Sequence, residues 1–262
     1  MQEPTIQNLI DKSITKKTAK KSKELGYVLF EGQSQLNGDN IVAILVMNST
    51  NEKTGNMAQL FIMNKDISPL EASRTKKDSA VCGDCKLRQS LGGSCYVSIF
   101  QSVQSVWNTY KRGRYSNLEI KDYGVLANRY IRFGSYGDPG ALPIEILVKL
   151  KAVSINNTSY THQWKKFPEM KSFSMASVDN KKEAVEAVKM GFRYFRVALP
   201  TDTLMKNEIL CPNTTVGKSC LECGLCNGNK IKAKNIVIVI HGALKGRFKD
   251  ETIKEVVETE IV

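Results

Sequence analysis

The sequence predicts an α/β protein, a complete or partial (β/α) barrel-like parallel sheet with two cysteine-rich metal-binding loops. Three observations lead there. From about residue 130 onward, short Val-, Ile- and Tyr-rich runs alternate with helical patterns, which argues for parallel strands joined by helical crossovers. No glycine-rich dinucleotide fingerprint follows any of these strands, which disfavours a doubly wound sheet. Seven cysteines fall into two clusters with ligand-like spacing.

The 262 residues suffice for one large domain or two small ones, and their apolar content is that of a chain able to bury a core. Seven is an odd count, so the cysteines cannot all pair as disulfides. The longest apolar runs, 41–47 and 236–240, have strand length and fall far short of the ~20 residues that span a bilayer. The first residues are polar and then lysine-rich, without the apolar segment of a signal peptide, so a cytoplasmic, non-membrane protein is expected. In that compartment clustered cysteines indicate metal rather than disulfides. The formal net charge is +12. It invites nucleic-acid contact, although no helix-turn-helix, zinc-finger or RNP pattern accompanies it. Part of the excess lies in Lys12, Lys16, Lys17, Lys20, Lys21 and Lys23, within a basic arm assigned to residues 1–25. Residues 26–250 are read as a single domain carrying a cysteine knot over 211–228 as an insertion, and 251–262 as a tail.

Taken in order, residues 26–47 read as strand, turn, strand. Asn37-Gly38 supplies the turn, because both residues tolerate positive φ. In the polar loop that follows, Lys53-Thr54-Gly55 lacks the G-x4-G-K-[ST] frame of a phosphate loop, and nucleotide binding on that motif is rejected. Residues 57–63 are a strand. Ser68 then caps a helix with Pro69 at its first position and Glu71 at its third. Val103, Val106, Trp107 and Tyr110 recur at helical spacing, and Gly113 stops the run. Further strands are read at 130–134, 158–164, 173–178, 192–199 and 236–240. A helix opens after Pro143, and another is capped by Asn180 and ended by Gly191.

Parallel sheets bind ligands at the C-terminal ends of their strands. Ser135, Asp138, His162, Gln163, Ser177, Asp179 and His241 fall at those ends and are the candidate cofactor- or substrate-binding residues. Both histidines of the chain are among them.

Cys220, Cys223 and Cys226 form C-x2-C-x2-C, with Cys211-Pro212 upstream. Such a set can wrap a cubane iron–sulfur cluster, and four thiolates would equally suit zinc. Cys82, Cys85 and Cys95 form C-x2-C-x9-C and lack a fourth cysteine. A zinc there would need His162, His241 or a carboxylate to complete it. A four-iron cluster would keep one iron open for a substrate or for S-adenosylmethionine.

Several blocks together resemble the phage and plasmid gene 88 protein family: Lys53-Thr54-Gly55, Val81-Cys82-Gly83-Asp84-Cys85, Ser94-Cys95-Tyr96-Val97, residues 132–139, Tyr160-Thr161-His162-Gln163-Trp164, Met175-Ala176-Ser177-Val178-Asp179 and the late cysteine knot. The resemblance runs from about residue 45 to 242 and implies a mobile-element origin, without naming an activity. A weaker resemblance is to radical S-adenosylmethionine enzymes. It rests on a three-cysteine loop ahead of an α/β sheet, the Cys95-Tyr96 pair and a second cysteine cluster near the C-terminus. That superfamily usually has C-x3-C-x2-C, a different spacing.

The expectation is therefore an iron–sulfur enzyme with two [4Fe-4S] clusters and S-adenosylmethionine, served by a reductase and acting on a nucleotide or nucleic acid. The alternative is a non-enzymatic, zinc-stabilised nucleic-acid-binding protein of a mobile element.

Overall fold

The computed structural model describes residues 23–228 and 232–248. Most of the basic arm and the whole tail 251–262 lie outside the described residues. A single ten-stranded sheet organises the chain, in the order β4-β1-β2-β3-β5-β6-β7-β8-β10-β9. Its strands are β1 (Gly26–Gln33), β2 (Asn40–Val46), β3 (Ala58–Asn64), β4 (Ser116–Asn117), β5 (Tyr130–Tyr136), β6 (Asn156–Thr161), β7 (Met175–Val178), β8 (Tyr194–Ala198), β9 (Glu208–Leu210) and β10 (Asn235–Val239). Only the β1–β2 and β2–β3 pairs are antiparallel. The others, from β3 through β8 to β10 and β9, run parallel.

The sheet is mixed and open, so the complete barrel expected from the alternation is corrected. The N-terminal hairpin extends the parallel strands on one side, and the three-residue β9 ends the other. The first and last strands therefore never pair. Such short edge strands leave little backbone free for pairing with other chains.

The helices are α1 (Pro69–Arg74), α2 (Ser79–Cys82), α3 (Gln104–Lys111), α4 (Ile144–Val153), α5 (Lys181–Lys189), α6 (Pro212–Val216) and α7 (Cys220–Cys223). Helix α5 begins where the sequence places it, with the Asn180 side chain accepting from the Glu183 amide. Its Ala184 and Ala187 pack with Ala176 and Val178 of β7 and with Tyr194, in one large core that also takes Leu147 and Leu150 of α4. Successive strand residues point to opposite faces. Met175 accordingly leaves that core and meets Cys226 and Ile236 in a second cluster, while Tyr130 joins Met57 and Leu221 in a third. One face of the sheet thus carries α4 and α5, and the other carries the C-terminal cysteine segment.

Candidate metal centres

The first cysteine group lies at the C-terminal ends of the central parallel strands. Helix α2 is four residues long and delivers Cys82, whose neighbour Val81 accepts a hydrogen bond from the Asp138 amide just beyond β5. The chain then reverses at Gly83, whose φ is +58°. A Cβ there would stand 2.6 Å from the Gln163 amide nitrogen, so only glycine allows Gln163 to approach. Gln163 Nε2 donates to Asp84 Oδ1 at 2.7 Å, and the Cys95 amide donates to the Leu87 carbonyl at 2.8 Å, closing the loop on itself.

The strand ends supply the rest of this group. Asp138 is buried; its carboxylate accepts from Thr161 Oγ1 at 2.7 Å, from the His162 amide at 2.7 Å and from the Gly140 amide at 2.8 Å. Burial raises the pKa of this carboxyl despite those donors. His162 follows β6 and lies beside the Cys85 thiol. Its Nε2 stands 3.6 Å from Asp179 Oδ1, within ion-pair range but too far for a hydrogen bond. Neither atom has a hydrogen-bond partner. Burial pulls the imidazole pKa down, but Cys85 and Asp179 outweigh it and raise it well above the usual value. A cavity of about 240 Å³ adjoins the group, lined by Leu87, Ser94, Asp179, Asn180 and Arg247 among others.

The C-terminal group is held on the opposite face by backbone hydrogen bonds. The Cys220 amide donates to the Lys53 carbonyl at 2.8 Å and the Leu221 amide to the Thr54 carbonyl at 3.1 Å. The Lys-Thr-Gly loop, rejected as a phosphate loop, is thus the cradle of this knot. Ser219 and Glu222 form a capping box that starts α7, and Gly224 at φ +59° ends it. The Cys211 amide donates to Val237 of β10 at 2.8 Å, and the Cys226 carbonyl accepts from Ser159 of β6 at 2.9 Å.

Burial pushes the Cys82 thiol well above its usual pKa, Cys95 up to about 11 and Cys226 up to about 12. Neighbouring cysteines add to each shift, within the 82–85–95 set and within the 211–220–223–226 set. None of the seven forms a disulfide among the described residues. Among the described residues, no group of three or more His, Cys, Asp or Glu side chains has the arrangement that holds a metal ion.

Of the seven strand-end candidates, four gather at the first cysteine group: Asp138, His162, Gln163 and Asp179. Ser135 instead hydrogen-bonds Gln59, which reaches Thr54 Oγ1 at 2.9 Å and so belongs to the cradle of the second group. Ser177 is buried within β7. His241 stacks on Tyr96, ring centroids 5.1 Å apart, and its Nδ1 lies 3.1 Å from the Val239 carbonyl.

Sequence reasoning missed Arg132 and Arg193. Arg132 lies on β5, and its Nη2 donates to Tyr96 Oη at 2.7 Å. Arg193 precedes β8 and donates to the carbonyls of Leu225 and Lys234, each at 2.6 Å, and of Ala233 at 3.2 Å. A signal was available. In 130–134 and 192–199, these arginines interrupt otherwise apolar and aromatic strand patterns, where a buried cation needs an anion.

No family model, no curated protein and no solved structure matches the chain.

Proposed function

We propose that the chain is an iron–sulfur enzyme with an open cluster at Cys82, Cys85 and Cys95 and a closed one at Cys211, Cys220, Cys223 and Cys226. The observation that carries this reading is the place of the three-cysteine group. It stands at the C-terminal ends of β5, β6 and β7, where parallel sheets bind their ligands, and it is one thiol short of a full set. The donor sets, three cysteines at one site and four at the other, are ones that a cluster accepts, and four thiolates would equally suit zinc.

S-adenosylmethionine at the open iron, with an electron from a reductase, would supply a hydrogen-abstracting radical. This chain's own residues do the rest. Asp138 fixes the His162 backbone, and Gln163 fixes the turn between Cys82 and Cys85. Asp179, which stands 3.6 Å from His162, lines the cavity. The resemblance to a mobile-element family suggests a nucleotide or nucleic acid as substrate, by analogy alone.

A second reading is favoured by the place of His162. With Asp179 3.6 Å from its Nε2 and Cys85 beside it, the ring stands between a carboxylate and a thiol, where a zinc-ligating histidine would sit once the Asp179 contact shortened to a hydrogen bond. Zinc closed by His162, with the net charge of +12, describes a non-enzymatic nucleic-acid-binding protein. Anaerobic purification followed by iron, sulfide and zinc analysis separates the two. About eight irons with matching sulfide are expected for two cubanes; two zincs without sulfide would overturn the enzyme reading.

A further inference from the structure

We infer that Arg132 and Arg193 are the counter-cations of the C-terminal cysteine centre, and that Arg132 also joins this centre to the first cysteine loop through Tyr96. The inference rests on the metal–thiolate reading of that centre.

Both arginines reach the sheet face that carries the cysteine knot. Arg132 pairs in register with Thr158 and Gln59, and Arg193 lies two residues before Phe195, on the same face, where Phe195 packs in the Cys226 cluster. The Arg132 guanidinium lies 5.8 Å from the ring centroid of Tyr160, which packs in the Cys226 cluster. Its Nε is buried and, among the described residues, has no hydrogen-bond partner. Arg193 is 5 % exposed and, among the described residues, hydrogen-bonds backbone carbonyls, one of them that of Leu225 beside Cys226.

Among the described residues, neither guanidinium forms a salt bridge with a carboxylate. Arg196, three residues after Arg193, shows what this protein does elsewhere with such a charge: it is held by Glu208 at 2.8 Å and Asp202 at 3.1 Å. A guanidinium taken out of water without an anion is strongly destabilising. Arg132 is faced by Tyr96 and Tyr160 and Arg193 by backbone carbonyls beside the cysteine knot, and these neutral groups and neutral thiols supply no counter-charge. Four thiolates around a divalent core leave about two negative charges, which two guanidiniums match. Second-sphere charge of this kind sets the potential of a cluster, because a nearby cation stabilises the more negative, reduced form.

The test is a dithionite redox titration of the full chain followed by electron paramagnetic resonance, with iron and sulfide measured first. Arg132→Gln and Arg193→Gln should each lower the potential of the C-terminal centre, whereas Arg132→Lys should stay near the wild-type value. Tyr96→Phe keeps the charge and should leave that potential unchanged. Full iron content with an unaltered potential in Arg132→Gln overturns the inference while sparing the cluster reading. Absence of iron from the wild type overturns the cluster reading and the inference with it. Circular dichroism checks each fold; if Arg193→Gln does not fold, the Arg132 series decides, since among the described residues its side chain hydrogen-bonds Tyr96 alone.

Discussion

The Ser159 amide donates to the Cys226 carbonyl at 2.9 Å, so the last cysteine of the knot is bonded directly to the edge of a strand in the sheet. The chain leaves this anchor through Gly228, where φ is +78° and a Cβ would stand 2.6 Å from the Ser174 amide nitrogen. Gly38 has a similar φ of +81° but open space around it. Gly38→Ala should cost about 1–2 kcal/mol, the penalty of positive φ alone. Gly228→Ala adds a backbone clash, and should cost more and lower the metal content of the C-terminal centre. Urea unfolding with metal analysis reads both, and equal losses would contradict this account of the anchor.

His162→Ala distinguishes a ring that holds the metal from one that only faces it. On the open-cluster reading the variant keeps wild-type iron, because Cys82, Cys85 and Cys95 suffice. Loss of metal from the first centre would identify the ring as the fourth ligand.

Metal loading should depend on pH. Burial holds Cys95 up at about 11 and Cys226 up at about 12, so the metal-free thiols are protonated at neutrality. Binding must displace those protons. Reconstitution of the metal-free protein should therefore weaken steadily from about pH 8 to about pH 6, as read by absorbance during titration. A flat profile would show that the thiols are already ionised.

The Arg196–Glu208 pair supports acid-sensitive stability. Burial would raise the Glu208 carboxyl, but Arg196 and the Met205 amide outweigh it and leave it below its usual range. A depressed carboxyl contributes stability above its unfolded pKa, and that contribution is lost as pH falls through the folded value. Glu208→Gln should destabilise the fold at neutral pH by less than the roughly 3–5 kcal/mol of a stranded buried charge, because Asp202 still pairs with Arg196. The variant should also lose less further stability on acidification than the wild type. Denaturant midpoints at about pH 7 and about pH 2 bracket the window, which opens near the usual carboxylate value and extends below it.

Asn180→Ala removes the side chain that caps α5 and should cost about 1 kcal/mol. The metal content of the C-terminal centre should be unchanged, since the cap lies on the sheet face opposite the cysteine knot.

The parts of the fold legible in sequence are those fixed by local chemistry. The Ser68 and Asn180 caps start helices where expected. The apolar run at 41–47 is β2, and the run at 236–240 is β10, each shifted by a residue. Closure was not legible, because whether the first and last strands meet depends on pairings distant in sequence. Strand β9 was missed because Glu208-Ile209-Leu210 is too short to show a period, and its glutamate is buried only on account of Arg196. At the site, the spacing of the cysteines separated them into the two sets whose members influence one another. What spacing could not show is which residues stand behind them. Arg132 and Arg193 matter through residues far along the chain, and the role of Lys53-Thr54 rests on two backbone carbonyls that carry no sequence signature.

Those two carbonyls also bear on how the molecule is assembled. The cradle at Lys53 and Thr54 leaves the ribosome early, and its occupants Cys220 and Leu221 leave near the end of synthesis. Domains generally fold as units, and the sheet and its large core draw on strands from β1 to β8. The cradle therefore stays without its occupants until nearly the whole polypeptide has been made, and a product truncated before Cys211 would leave that face of the sheet bare.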